Sequence, residues 1–253
     1  MRDRDSELRL ADVLVETADT LSEGFDPEHY LRWLADRCVE LLDAQGAGVM
    51  YTGQGDGVHL IPGTRQQHVV RDLLAVQHLG GPCLESFGTG EPVPPVPIDG
   101  KGAGARWPEF SERAERHGVA GTYAVPLRRR GAKTMGVLNV FVPHAPQVAD
   151  SERQLHIAQA LARAAAVGLL NHRTHTECRT RSEHLQTALD SRIRIEQAKG
   201  ILAERWSTGT DEAFEVLRRF ARRERLVMDV VATQVIKGEI DGEALGRDRS
   251  EPS

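Results

Sequence analysis

The most constraining feature of the sequence is the apolar spacing between Ile193 and Ile240. Apolar residues recur there every three or four positions, in three groups separated by polar or charged breaks. The groups are Ile195, Ala198, Ile201 and Leu202; Phe214, Leu217 and Ala221; and Leu226, Val230 and Val231. Such short stripes predict three amphipathic helices that bury their apolar sides against one another. We therefore expect a three-helix unit of about fifty residues with a thin core.

Polar residues and a glycine mark where these helices begin and end. Trp206–Thr210 interrupts the first stripe. Thr210 precedes two acidic residues and is predicted to cap the second helix, since carboxylates favour the positive end of a helix. The basic run Arg222–Arg225 closes the second helix, and Gly238 is placed to close the third.

The second of these helices is basic in its C-terminal half. Its charged residues there are Arg218, Arg219, Arg222, Arg223 and Arg225, with the single acid Glu224. At about 100° per residue, Arg218, Arg222 and Arg225 form one exposed strip. Guanidinium groups fork onto phosphate oxygens and stack on unpaired bases, as in the recognition of RNA loops. The alternative interpretation of such a charge run is a solvated helix face.

These residues resemble the ANTAR domain of bacterial response regulators. The resemblance is carried by Glu196–Leu202, by Asp211–Phe214 with Leu217, Arg218 and Ala221, and by Asp229–Ala232. That family binds nascent RNA and controls transcription termination, typically by gripping a pair of small hairpins so that a terminator cannot form.

The resemblance to the ANTAR family implies a set of RNA-contacting residues. Lys199, Arg218 and Arg222 are expected to contact RNA, and Arg219, Arg223 and Arg225 are weaker candidates. By the same resemblance, the residues expected to shape the surface are Gln197, Ala198, Gly200, Ala213 and Ala221. Small residues beside Lys199 leave the backbone open to close approach, although a close helix contact is the competing explanation.

Composition and charge limit the class of protein. A chain of 253 residues suggests two domains, and an apolar fraction of 40% is enough for a globular core. The formal net charge is −5, so a nucleic-acid contact has to come from a local cationic patch. Cys38, Cys83 and Cys178 have no paired spacing, which favours a reducing cytosol over a disulfide framework. No apolar run reaches the roughly 20 residues that span a bilayer, and we expect a soluble, cytoplasmic protein.

The first 150 residues mix helical and strand patterns. Helices are predicted at Leu8–Leu21, Glu28–Ala44 and Arg65–His78. A further short helix is predicted after Trp107–Phe110 and ends at His117. Strands are predicted at Gly46–Thr52, Val58–Ile61, Pro92–Ile98, Thr122–Arg128 and Met135–Val142. The four prolines of Pro92–Ile98 allow only an edge strand or an extended segment. This order predicts an α+β domain with a sheet of about five strands.

A second resemblance covers residues 9–170. Gly80–Ser86, Arg106–Phe110 and Gly136–Val140 resemble the GAF domain found upstream of ANTAR modules in actinobacterial regulators. The resemblance implies an antiparallel sheet flanked by helices, used as a small-molecule sensor or as a dimerisation platform. The glycine-rich segment Gly100–Arg106 departs from the family pattern, and we predict a flexible surface loop there.

The sequence predicts a long helix between the two domains. Its apolar seam consists of Leu155, Ala158, Ala162, Ala165 and Leu169, and later Leu185, Leu189 and Ile193. Proline is absent from Ser151 to Ile240, so one helix of about 80 Å is expected from Ser151 to Trp206. A helix this long has to bury its stripe, and a parallel coiled-coil homodimer is the preferred partner. Two protomers would supply two RNA-binding units for two hairpins.

Other candidate sites are weaker. His172, His175 and Cys178 lie three apart and spread too far around a helix to hold one ion, so no metal site is predicted. Cys83 is interpreted as a small residue packed in a Gly-Pro turn, with a redox sensor as the alternative. We predict no catalytic residue and no cofactor, while any ligand-binding residues of the GAF-like domain stay unassigned.

The sequence therefore predicts a four-part chain. The parts are a GAF-like sensor domain at 1–150, a helical coiled-coil connector at 151–191, an ANTAR RNA-binding domain at 192–240 and a disordered tail at 241–253. The predicted protein is a transcription antitermination regulator and not an enzyme. Two alternatives stay open: a DNA-binding regulator, because three helices with a basic second helix imitate a helix-turn-helix, and a redox enzyme that uses Cys83 on the GAF fold.

Overall fold

The computed structural model of the protein describes residues 2–21, 24–53, 57–99, 101–240 and 244–245. The chain divides into two compact units, an N-terminal unit over Met1–His175 and a C-terminal unit over Thr176–Ser253. The helices, in chain order, are α1 (Arg2–Ala18), α2 (Pro27–Leu42), α3 (Gln67–Val76), α4 (Pro82–Thr89), α5 (Ala103–Arg106), α6 (Pro108–Arg116), α7 (Val148–Trp206), α8 (Thr210–Glu224) and α9 (Met228–Lys237). Within the described part of the chain, every helix lacks the length or the apolar content that crossing a bilayer requires.

The N-terminal unit contains one antiparallel sheet of five strands. The strands are β1 (Gly46–Thr52), β2 (Val58–Pro62), β3 (Val93–Pro97), β4 (Gly121–Leu127) and β5 (Gly136–Val142). Their order is β2-β1-β5-β4-β3, with Leu138 of β5 opposite Val49 of β1 and Val125 of β4. The proline-rich strand β3 lies at an edge because proline has no N–H for a second neighbouring strand. The predicted α+β fold and its edge strand are confirmed.

The sheet is covered by helices on both faces. Leu138 and Val140 of β5 belong to a core with α2 and the N-terminal part of α7. Val137 and Phe141 belong to a second core with α3, α4 and α6. Successive side chains of a strand point to opposite faces of the sheet. Because helices cover both faces, the residues of β5 on each face are buried, and the strand is apolar along almost its whole length.

The predicted Gly-Pro turn around Cys83 is instead the start of helix α4. Pro82 occupies the first turn of α4, where its missing N–H needs no partner. The backbone N–H of Cys83 donates to Oε1 of Gln77 at 2.6 Å. Gly90 ends α4 in the left-handed conformation with φ 69°. The sequence prediction failed here because a helix of two turns has too few residues to show a period.

The predicted loop Gly100–Arg106 contains the one-turn helix α5. Gly100 lies outside the described residues, and Ala103 is fully buried. A carboxylate oxygen of Asp99 accepts a hydrogen bond from the N–H of Lys101 at 2.9 Å, which orders the approach to α5. The expectation of a flexible surface loop is therefore wrong for Ala103, because its methyl group packs in the core beside α6.

Helix α7 confirms the long helix predicted from the proline-free sequence and has 59 residues. The boundary between the two units falls within it. Ala158, Ala162 and Ala165 are fully buried in the core under the sheet, so this part of the predicted seam packs within the protomer. A side chain at Gly168 would place its Cβ 2.9 Å from the carbonyl oxygen of Thr17, which makes glycine necessary where α7 meets α1.

The ends of α8 and α9 are set by backbone conformation. The N-cap of α8 is Gly209 and not the predicted Thr210, which is the first helical residue. Arg225 ends α8 in the left-handed conformation with φ 56°, and Gly238 ends α9 with φ 73°, as predicted. Of the predicted tail at 241–253, the structure describes Ala244 and Leu245, and Leu245 is buried in the core of the C-terminal unit.

Candidate nucleic-acid interface

Helix α8 has one buried side and one cationic side. Leu217 is fully buried and Phe220 is 9% exposed, both in the core of the C-terminal unit. The exposed side carries Arg218, Arg219, Arg222, Arg223 and Arg225. Because apolar residues return every three or four positions, the arginines between them point to solvent. We call these five residues the arginine strip.

Two residues of the arginine strip are paired with acidic neighbours on α8. Nη1 of Arg218 lies 3.2 Å from Oε1 of Glu215, and Nε of Arg223 lies 2.8 Å from Oε1 of Glu224. The guanidinium of Arg223 also lies 5.0 Å from the centroid of the Phe220 ring. These two arginines carry part of their charge in local ion pairs, so each would exchange a partner on binding a phosphate.

The other three residues of the strip have no acidic partner among the described residues. They are Arg219, Arg222 and Arg225. Arg219 and Arg222 lie on the last turns of α8 and Arg225 is its C-cap, so the three charges follow one another at intervals of three residues. Each charge stays available to an anionic ligand. Arg219 and Arg225, which the sequence ranked below Arg218, are therefore stronger candidates than Arg218.

Lys199 is held in place by its neighbours. Its side chain is only 14% exposed, and Nζ lies 2.9 Å from Oε2 of Glu196 one turn earlier on α7. Nζ also lies 5.5 Å from the centroid of the Phe214 ring on α8. The cation–π contact of Lys199 links α7 to α8. Because the ammonium group is already paired with Glu196, Lys199 is less available to an anionic ligand than the arginines of the strip that have no acidic partner among the described residues.

The small residues expected to shape the contact surface fall into two groups. Ala198 and Ala213 are fully buried and Ala221 is 4% exposed, so all three belong to the core. The expectation that these three alanines shape the outer surface is corrected, because a methyl side chain lets α7, α8 and α9 approach closely. Gln197 and Gly200 are exposed on α7 and stay candidates for contact.

An ion pair that the sequence analysis missed joins α7 to α9. Nε and Nη2 of Arg194 lie 2.6 Å and 3.0 Å from the two carboxylate oxygens of Asp229. The hydrogen bonds from Arg194 lower the pKa of Asp229. A bidentate pair fixes both side chains in one plane, so it orients the start of α9 against α7. No sequence pattern connects residues this far apart.

Two apolar residues predicted to face the core of the C-terminal unit are exposed. Leu226 is 40% exposed and Val230 is 43% exposed, while Val231 is fully buried. The prediction is wrong for Leu226 because this residue precedes α9, which begins at Met228. It is wrong for Val230 because α9 buries the face of Val231, Ala232 and Val235. Val227 is 69% exposed, so three exposed apolar residues follow the arginine strip within five positions of the sequence.

The cysteines offer no pair for redox chemistry among the described residues. Cys38 and Cys83 are fully buried in the two different cores on opposite faces of the sheet. Burial raises the pKa of Cys38 to about 12 and also raises the pKa of Cys83, so both stay thiols at neutral pH. Cys178 on α7 is the exposed cysteine.

His172 has a structural role in the N-terminal unit. Its Nδ1 lies 2.8 Å from the carbonyl oxygen of Thr20, and its ring lies 4.4 Å from that of Phe25. Among the described residues, no three His, Cys, Asp or Glu side chains are grouped as metal ligands would be.

The fold and the sequence together define a regulatory protein with a GAF domain. Residues 26–169 match the GAF domain family, which is more than half of the chain, so the protein belongs to this family. Residues 183–236 match the ANTAR domain family. A GAF domain followed by an ANTAR domain is the architecture of GAF-ANTAR regulators, and the predicted family is confirmed.

Several solved structures are similar to this chain. The free methionine-R-sulfoxide reductase of Neisseria meningitidis, in complex with its substrate, is 20% identical with a TM-score of 0.47, over 68% of this chain and 93% of that one. A GAF domain from A. aeolicus in an inactive state is 13% identical with a TM-score of 0.46, over 65% and 97%. The GAF domain of a phosphoenolpyruvate-protein phosphotransferase from Coxiella burnetii is 13% identical with a TM-score of 0.44, over 67% and 98%. A comparison with curated proteins found no match.

Proposed function

We propose that the protein is a transcription antitermination regulator that binds paired stem-loops of nascent RNA through its C-terminal unit. The ANTAR domain is an RNA-binding antitermination module. The observation that carries the proposal for this chain is the arginine strip of α8. Three of its arginines, Arg219, Arg222 and Arg225, have no acidic partner among the described residues. A local cationic surface of this kind overcomes the net charge of −5 on the whole chain.

The chemistry of the strip suits RNA loops. The deep major groove of an A-form duplex does not admit side chains, so proteins read the unstacked bases of loops and the phosphates around them. Arginine serves both purposes, because its planar guanidinium stacks on a base and forks onto two phosphate oxygens. The exposed apolar side chains of Leu226 and Val227 add a surface for base contacts.

We propose that the functional form is a homodimer, so that two arginine strips meet two hairpins. The support is an exposed apolar stripe on α7, where Leu185, Leu189 and Ile193 are 65%, 52% and 47% exposed. The spacing of four residues places them on one side of the helix. Fully burying a leucine stabilises by about 1.5 to 3 kcal/mol, so pairing with the same stripe of a second copy is favourable.

The RNA-binding test starts with crosslinking in cells and sequencing, which gives the bound transcript. Gel shifts then compare that RNA with duplex DNA of the same sequence. We expect Arg219→Gln and Arg222→Gln each to weaken RNA binding about tenfold and to reduce the dependence on salt. Arg65→Gln removes an exposed charge of the N-terminal unit and serves as the matched control. Tighter binding of duplex DNA would instead support the alternative of a DNA-binding regulator.

The dimer is tested by sedimentation of the full chain. We expect Leu189→Ser to convert a dimer into a monomer, because it places a hydroxyl in the middle of the proposed seam. Leu79→Ser changes a leucine of the N-terminal unit that is 58% exposed and should leave the dimer intact. A monomeric unaltered chain would contradict the proposal.

The N-terminal unit is proposed to act as a small-molecule sensor, and the protein to act in the cytoplasm, where nascent transcripts are made. The alternative of a redox enzyme needs an accessible cysteine pair. Burial of Cys83 and Cys38 in separate cores speaks against it.

A further inference from the structure

A polar cavity of about 400 Å³ lies in the N-terminal unit, where β4 ends. Three parts of the chain form it: the connection from α4 to β3, the connection from β4 to β5, and helix α7. Its lining includes Glu91, Pro126, Arg128, Arg130, Gln159 and Arg163. The three arginines of the lining come from two segments that are distant in the sequence, so no local pattern predicts this cavity.

The cavity has more positive than negative charge. Nη2 of Arg128 lies 3.2 Å from Oε1 of Glu91, so these two groups compensate each other. Arg130 and Arg163 also line the cavity and have no acidic partner among the described residues. Concave sites lined by one sign of charge concentrate ligands of the opposite sign. The cavity is therefore suited to an anion with two negative charges.

Two features of the backbone shape the wall of the cavity. Gly90 adopts φ 69°, and a Cβ there would collide with the guanidinium of Arg128. Glycine at this position therefore gives Arg128 room at the cavity wall. Gln159 and Arg163 are four residues apart on α7, which puts both on one side of a rigid helix. The donors thus come from two segments, with Gln159 and Arg163 on helix α7 and Arg128 and Arg130 on the connection from β4 to β5.

We propose that this cavity binds a small phosphorylated molecule. A phosphate group carries up to two charges and oxygens in tetrahedral directions, so it can accept from Arg130, Arg163 and Gln159 together. A single carboxylate is planar and is satisfied by one guanidinium fork. The volume is within the range of about 300 to 1,000 Å³ found for small-molecule sites, which leaves space beside the phosphate for a ring packed on Pro126. The proposal does not depend on RNA binding.

The test is calorimetric titration of the full chain with inorganic phosphate, adenosine monophosphate and citrate. We expect saturable binding of adenosine monophosphate at one site per chain, and weaker binding of phosphate at the same site. Arg163→Gln and Arg130→Gln should each weaken binding at least about tenfold. Arg129→Gln removes an exposed neighbouring charge outside the cavity and should leave affinity unchanged. Thermal unfolding of each variant checks that the N-terminal unit stays folded.

Binding at the arginine strip is separated from binding in the cavity by the variant Arg219→Gln. This variant should retain full affinity for adenosine monophosphate, whatever its effect on RNA. The proposal is overturned if neither phosphate compound binds saturably, if citrate alone binds, or if Arg129→Gln and Arg163→Gln lose affinity equally. Loss of adenosine monophosphate binding in Arg219→Gln would equally overturn it.

Discussion

Replacing Leu217 by alanine should destabilise the C-terminal unit and leave the stability of the N-terminal unit unchanged. Leu217 is fully buried on α8, in a core that also includes Leu202 of α7 and Val231 of α9. The same helix carries the arginine strip on its outer side. Leu217→Ala therefore tests whether the packing beneath α8 holds the strip in place.

The expected cost follows from the burial of Leu217. The change from leucine to alanine removes three buried carbon atoms. The lost transfer of these atoms out of water lowers the free energy of unfolding by about 2 kcal/mol. The residual cavity raises the loss to about 3 kcal/mol. Whole domains are stable by only about 5 to 15 kcal/mol, so a unit with a thin core loses a large share. A loss of 3 kcal/mol corresponds to roughly 100-fold faster exchange of amide hydrogens that exchange through unfolding of the unit.

Hydrogen exchange followed by mass spectrometry of peptides is the assay, because it reads each element separately. Peptides of α8 and α9 should exchange roughly 100-fold faster in Leu217→Ala, and those of β5 should not change. The control is Leu226→Ala. Leu226 is 40% exposed, so this substitution should accelerate exchange by about fivefold at most.

Two results would refute this reasoning. Exchange in α8 and α9 within threefold of the unaltered protein would mean that Leu217 does not anchor α8. Equal acceleration in β5 would mean that the two units unfold together, and the loss could then not be assigned to the C-terminal core.

Three further predictions concern the N-terminal unit and the cysteines. A hydrogen bond from His117 lowers the pKa of Asp72 below its usual 3.8, so this stabilisation is present above pH 3.8 and is lost as the pH falls through the lowered pKa; Asp72→Asn should flatten the acid side of a plot of Tm against pH. Gly168→Val should lower the Tm by about 5 °C, as measured by scanning calorimetry, because its Cβ would lie 2.9 Å from a carbonyl oxygen of α1; an unchanged Tm would contradict the close contact. Ellman's reagent should modify Cys178 in the native protein and leave Cys83 unmodified, because burial raises the pKa of the Cys83 thiol; rapid modification of both would revive the redox alternative.

The parts of the fold that repeat a pattern over many residues could be predicted from the sequence. The long helix α7, which has 59 residues, could be predicted because proline is absent from it and apolar residues recur along it. The edge position of β3 followed from its prolines, which exclude a central strand. Leu217 could be placed in the core, and Arg222 on the surface, from the helical period alone.

The parts that failed depend on short segments or on small residues. Helix α4 has eight residues, too few to distinguish a helix from a turn near Gly80 and Gly81. Ala198, Ala213 and Ala221 were expected to shape the contact surface from the ANTAR resemblance, although Ala198 and Ala221 also belong to the apolar groups predicted to be buried. Small residues suit both close helix packing and an open backbone. Only the three-dimensional packing decides between those two uses, and here it buries all three.

The parts that could not be predicted involve residues far apart in the chain. The ion pair of Arg194 with Asp229 joins two helices, and nothing local marks either residue. The cavity beside Arg128 likewise needs Arg163 of α7 to come next to the turn after β4. The ranking within the arginine strip also changed, since Arg218 pairs with Glu215, which a count of charges does not reveal.

Strand β3 also affects how copies of the protein can aggregate. Three of its five residues are proline and have no amide hydrogen to offer an incoming strand. An open edge rich in N–H groups is the usual template for fibril growth. The β3 edge lacks most of these groups and is therefore a poor template. Contacts between copies at the β3 edge therefore have to use side chains, and a filament cannot readily grow from this side of the sheet.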